Sequence, residues 1–132
     1  MNAPIGQIEW SDDLDVLCSY LSQVDGLEGA LLLDDEGLTL ALGSDSTPEV
    51  SEIAPWLLQS LLESRDFANA HGLELPEEQI SFTPLRFQLC RRIGPSYLVT
   101  QGTRGSYELF QGRIERCSQM MDQALRQRRL AE

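Results

Sequence analysis

Three consecutive acids, Asp34, Asp35 and Glu36, stand between two apolar runs in VDGLEGALLLDDEGLTLALG, residues 24–43. Carboxylates so grouped invite two chemistries, cation binding and general acid–base catalysis. A calcium loop of the EF type takes its oxygens at alternating positions, with glycine at the sixth and glutamate at the twelfth. Here the acids are consecutive and the loop closes within residues 34–37. A catalytic carboxylate needs a pocket that raises its pKa, and a hairpin tip offers none. The stretch reads as a turn, with aspartate bonding its own backbone and Gly37 supplying a positive φ.

The other reactive side chains are sparse. Cys18, Cys90 and Cys117 are far apart and odd in number, and none forms a CxxC pair. Each falls on an apolar stripe, where free cysteine packs as a small hydrophobe. His71 is the single histidine, with no companion at metal-ligand spacing. It precedes Gly72 at the end of a helical pattern, where an imidazolium favours the helix dipole. The chain has no lysine, which removes Schiff-base chemistry and a phosphate-binding lysine. Phosphate-loop, dinucleotide, zinc-protease and nucleophile-elbow motifs are all missing. The expectation is a protein that is not an enzyme and takes no metal or cofactor.

Charge is more informative. Residues 1–64 hold thirteen acids and no base, whereas residues 65–132 hold ten arginines and eight acids. The halves sum to −13 and +2, the two parts of the net −11. Such a field opposes nucleic acid or an anionic membrane as the main partner. It fits a basic protein partner, or two halves that complement each other. At 132 residues the expectation is one domain over 1–132, with its core at about 9–126. No apolar run approaches the ~20 residues that span a bilayer. MNAPIGQIEW lacks the basic and apolar parts of a secretory signal, so the cytoplasm is the expected location.

Periodicity supplies the elements. SDDLDVLCSYLSQV predicts a helix capped by Ser11, with Leu14, Leu17, Cys18 and Leu21 on one face. Residues 29–33 form a continuous apolar run, as in a strand covered on both faces. Leu38, Leu40 and Leu42 alternate with Thr39 and Ala41 in its hairpin partner. Thr47 and Pro48 open a second helix, in which Pro55 implies a kink or a true start nearer Ser51. Val50, Ile53, Ala54, Leu57, Leu61 and Ala68 form its main stripe, flanked by Trp56, Ser60 and Phe67 on one side and by Leu58 and Leu62 on the other. That arc exceeds the ~100° needed to pack on one sheet, so this helix is expected to bury more than one side. Ile80 and Phe82 mark a third strand, interrupted at Pro84. Leu85, Phe87, Leu89 and Ile93 form one face of a fourth, with Arg91 the exception to its alternation. Residues 97–101 give a fifth. A last helix carries Tyr107, Phe110, Ile114, Cys117, Met121 and Leu125, and ends in Arg126, Arg128 and Arg129. Those cations suit the negative end of the helix dipole, or a partner.

The order α-β-β-α-β-β-β-α and the hairpin resemble the roadblock/dynein light chain family, in particular the bacterial gliding-motility-regulator type. Its members often carry a "v-x-G-v-x-G-a" lead and a "d-x-x-G-l-x-l-a" hairpin. Here these are Val24, Gly26, Leu27, Gly29 and Ala30, then Asp34 or Asp35, Gly37, Leu38, Leu40 and Ala41. The resemblance implies a three-layer α/β/α fold with a five-stranded antiparallel sheet, the second helix on one face and the other two opposite. It also implies a homodimer made by pairing second helices and joining edge strands, and a non-catalytic platform for a Ras-like small GTPase. In some bacterial relatives the platform stimulates hydrolysis by repositioning the GTPase loops. The residues expected at the dimer or partner interface are Ile53, Trp56, Leu57, Ser60 and Phe67, with Arg126, Arg128 and Arg129 as a secondary contact. Two other functions fit a small acidic α/β protein. They are a secretion chaperone or adaptor indifferent to nucleotide, and a small-molecule sensor with a pocket on the sheet.

Overall fold

The computed structural model describes residues 13–131, with side chains as far as Arg128. In chain order the elements are α1 (Leu14–Ser22), β1 (Leu27–Leu33), β2 (Thr39–Leu42), α2 (Pro48–Ala70), β3 (Glu78–Phe82), β4 (Arg86–Ile93), β5 (Ser96–Thr103), a 3-10 turn (Arg104–Ser106) and α3 (Tyr107–Ala131). The strands form one sheet in the order β2-β1-β5-β4-β3, and every neighbouring pair is antiparallel.

β1 explains the layering. Its side chains alternate between faces, and both faces are covered. Ala30 and Leu32 join Leu17 and Leu21 of α1, and Phe110 and Ile114 of α3, in one cluster. Leu31 and Leu33 join Val50, Ala54, Leu58 and Leu61 of α2 in the other. An uninterrupted apolar run is what a doubly covered strand requires. β4 divides in the same way, with Phe87, Leu89 and Ile93 toward α1 and α3, and Cys90 toward α2. Arg91, the break in its pattern, shares the face of Leu89. Its guanidinium bonds Glu115 of α3 and lies 3.3 Å from Glu78 of β3. Arg113 of α3 is buried, donates to the Tyr20 carbonyl at 3.0 Å and lies over the Tyr20 ring. A cation near the last turn of α1 suits that helix's dipole.

Several expectations are corrected. Ser11 lies outside the described residues, and α1 is capped instead by Asp13, whose carboxylate accepts from the amides of Asp15 (3.0 Å) and Val16 (3.3 Å). Asp13→Ala should cost about 1 kcal/mol. A shift of that size lowers the melting midpoint by roughly 3–5 °C in a domain of this length, readable by thermal denaturation. α2 begins at Pro48, as the Thr47–Pro48 pair predicts, rather than at the alternative start nearer Ser51, and it runs through Pro55 without a break. Pro55 is exposed, as is Ser51, whose carbonyl loses its helical donor there; water can replace it. Thr47 takes the N-cap position without a side-chain bond. Leu85 is not part of β4. It stands 73% exposed in the β3–β4 turn, where the Thr83 amide donates to the Arg86 carbonyl at 2.9 Å. In β2 the buried side chain is Ala41, while Leu38, Leu40 and Leu42 are exposed.

Gly26 is the one position before β1 where another residue would not fit. It has φ +92°, and a Cβ there would stand 2.5 Å from Thr103 Oγ1 and 2.9 Å from Ser106 Cβ. The start of β1 is thereby held against the end of β5, where the Thr103 amide donates to the Gly26 carbonyl.

Candidate interaction surfaces

The acidic turn is structural. Asp34 Oδ1 accepts from the amides of Glu36 and Leu38, both at 2.9 Å. The Asp34 amide in turn donates to the Leu38 carbonyl at 2.9 Å, and Gly37 takes φ +89°. Among the described residues no group of histidine, cysteine or acidic side chains could hold a metal. His71 caps the end of α2, stacked on Phe67 at 4.2 Å between ring centroids, with Nδ1 2.9 Å from the Phe67 carbonyl oxygen.

The cysteines are packing residues. All three are free and buried. Burial pushes each thiol from 9.0 up to about 12. For Cys18 the nearby Asp15 and Cys117 add to the rise; for Cys117 the neighbouring Arg113 and Arg116 oppose it. The reactive thiolate is therefore scarce in the folded protein. A maleimide or disulfide reagent at pH 8 should modify none of them until denaturant is added, as mass spectrometry would show. Linkage adds a pH dependence. The unfolded thiols ionise near pH 9 and the folded ones near 12, so stability is intact below about pH 9 and falls as pH rises toward 12.

Two recesses among the described residues are small or shallow. One of about 190 Å³ between β4 and α3 is bounded by Glu78, Arg91 and Glu115, whose charges already pair. Ligand pockets usually offer ~300–1,000 Å³ and a mainly apolar lining. A wider groove of about 420 Å³ beside Arg92 and Arg126 is open, and those arginines pair with Glu77 and Asp122. Neither recess resembles the pocket of a small-molecule sensor.

The outward side of α2 is different in kind. Trp56 is 77% exposed and Phe67 60%. Ser60 lies between them at helical spacing, half-buried like Ile53 and Leu57. The side of α2 that carries Val50, Ala54, Leu61 and Ala68 is already buried. Two large aromatics thus remain on a face that the described residues leave exposed. Arg65 bonds the Pro76 carbonyl at 2.8 Å and pins the segment entering β3 to α2. Among the described residues the outer edge of β3 has no neighbouring strand.

The arginines at the end of α3 stand elsewhere. Arg126 pairs with Asp122 at 3.1 Å, one turn earlier, and Arg128 is exposed. The Arg129 side chain lies outside the described residues. Because α3 packs on the sheet face opposite α2, these arginines do not join the α2 stripe in one surface. The apolar edge at Leu38, Leu40 and Leu42 was not singled out in the sequence. Its alternation with Thr39 and Ala41 marks a strand without saying which face is covered.

No protein-family model matches the chain, and no curated protein matches it in sequence. Solved structures do match. MglB of Myxococcus xanthus superposes with a TM-score of 0.74 at 14% identity, over 86% of this chain and 95% of that one. A Roadblock/LC7 domain from Streptomyces avermitilis gives 0.64 at 17% identity, over 90% and 97%. An MglB with tetrameric arrangement gives 0.67 at 16% identity, over 84% and 86%. With three layers, five antiparallel strands and near-complete coverage of these structures, the chain has the roadblock fold.

Proposed function

We propose that the protein is a cytoplasmic, non-catalytic regulator or scaffold of a Ras-like small GTPase, acting as a homodimer joined through the outward face of α2 and the edge of β3. The observation that carries the proposal is the exposure of Trp56 and Phe67, 77% and 60%, on a helix whose opposite side already supplies the core. Large apolar patches on a soluble chain mark interaction sites. Aromatic residues in such patches often dominate the binding energy. Fold similarity to MglB and to a Roadblock/LC7 domain supports the class of partner, and the tetrameric MglB supports self-association.

A platform without reactive groups regulates by selection. The switch loops of a Ras-like GTPase differ between nucleotide states. A surface that contacts one state better shifts the population toward it by the difference in affinity. If that state is the hydrolytic arrangement, hydrolysis quickens. The test is single-turnover GTP hydrolysis by a Ras-like GTPase of the same organism, with binding measured in parallel by calorimetry. State-selective binding with faster hydrolysis identifies an activator, and state-selective binding at an unchanged rate identifies a scaffold. Equal binding in both states, or none, contradicts the proposal.

A further inference from the structure

The edge of the sheet opposite β3 carries a second uncovered apolar surface. Leu38, Leu40 and Leu42 fall within five residues and are 63%, 43% and 44% exposed. Single exposed leucines are ordinary on a protein surface, but three within five residues at one sheet edge mark a candidate contact. Leu42 lies opposite Leu31, which faces the α2 layer, so Leu42 points to that side. The register shift between Leu32 and Leu33 leaves Leu40 without an opposite residue, a bulge of the kind that twists an edge away from simple pairing.

Backbone groups at both ends of this edge are already used. The Leu42 amide donates to Asp15 Oδ1 at 3.0 Å, and the Ser44 amide to Ser19 Oγ at 3.0 Å, so α1 closes this end to an added strand. The Leu38 amide and carbonyl are both bonded to Asp34. An occupant must be recognised by side chains lying on the leucines, not by a main-chain ladder. A helix laid by its apolar stripe meets that condition.

Charge selects its chemistry. Asp35 and Glu36 precede the leucines and Asp45 follows them, and none makes an ion pair among the described residues. Glu28 of the acid-only half pairs with Arg86 of the arginine-bearing half, at 3.0 Å. Asp35, Glu36 and Asp45 therefore leave a negative rim beside the leucines. A second copy of β2 would bring like charges together, and an anionic lipid surface would do the same. A cationic partner is attracted and oriented by this field.

We infer that Leu38, Leu40 and Leu42, rimmed by Asp35, Glu36 and Asp45, form a docking surface for a basic amphipathic helix of a partner protein. β2 and β3 are opposite edges of the sheet, so an occupant of the leucines does not compete for the β3 edge. The inference does not depend on that joining.

The experiment places p-benzoylphenylalanine at position 40 of the full-length protein in its native cell, followed by irradiation and mapping of the adducts by mass spectrometry. A parallel sample adds Asp35→Asn, Glu36→Gln and Asp45→Asn, with circular dichroism to confirm that it folds. The expected adduct lies in a partner segment with net positive charge and apolar residues at helical spacing. Its yield should fall by about tenfold when the acids are neutralised. An adduct within a second copy of this chain, in a neutral or acidic segment, or with undiminished yield after neutralisation overturns the inference. So does the absence of any adduct from position 40.

Discussion

Trp56→Asp is expected to turn a dimer of twice 14.8 kDa into a monomer of unchanged fold, and to abolish state-selective binding of the GTPase with it. Trp56 is 77% exposed in the single chain, so the substitution removes nothing from the core and leaves α2 with its buried side intact. In a dimer the same side chain is covered. A tryptophan at the centre of an interface is worth about 2–4 kcal/mol when truncated, and an aspartate in its place adds the cost of burying an unpaired carboxylate. A loss of ~3 kcal/mol weakens association by a factor of roughly 100–200. Light scattering at micromolar concentration reads the mass, and far-ultraviolet circular dichroism reads the fold. An unchanged dimer mass removes Trp56 from the interface. Phe67→Asp should act in the same direction, since Phe67 stands three turns further along the same exposed side.

Phe87→Ala is the core substitution with the largest expected effect. Phe87 is fully buried on β4 and ties three elements together. Its ring lies 5.2 Å from that of Tyr107 and 5.5 Å from that of Phe110, while its backbone lies opposite Phe82 of β3 and Gly102 of β5. Truncation removes the apolar contact and leaves a cavity between sheet and α3 that the rigid strands cannot collapse into. The cost is about 3–5 kcal/mol, against a total stability of roughly 5–15 kcal/mol for a natural domain. Urea denaturation should show an earlier midpoint with a similar slope. A loss below ~1 kcal/mol would mean that α3 is not held to the sheet by this ring. Unlike Trp56→Asp, this variant should lose binding only as it unfolds.

Much of the fold was legible because the elements that build it are covered on a definite number of sides. β1 reads as an unbroken run, residues 29–33, since it faces helices above and below. β4 reads as alternating, and Arg91 interrupts the alternation because it is occupied by Glu78 and Glu115. Edge strands were harder. Leu85 continues the parity of Phe87 and Leu89, yet it falls in the turn where the Thr83 and Arg86 backbones pair. In β2 the three leucines look like the buried set, but register places the small Ala41 opposite Leu32, under α1 and α3. Parity reveals two faces, and only tertiary packing decides which is covered.

The α2 surface was legible for the complementary reason. An arc of apolar residues wider than one sheet can cover must leave a remainder, and Trp56 and Phe67 are that remainder. Spacing also grouped Ile53 and Leu57 with them, whereas both are half-buried in the single chain. The arginines of α3 could not be placed by spacing at all. That α3 and α2 lie on opposite faces of the sheet is a matter of connectivity. The charge asymmetry was plain in the sequence, but whether the halves compensate each other depends on which side chains meet, as Arg86 does with Glu28.

The measurement that bears most directly on the central claim is affinity capture from the native cell with the purified protein as bait, once in a GTP analogue and once in GDP. The account predicts a Ras-like GTPase retained in one nucleotide state and absent in the other, with Trp56→Asp bait retaining it in neither. A set of partners that contains no GTPase and is indifferent to nucleotide would contradict it, leaving the roadblock fold in place and the regulatory function refuted.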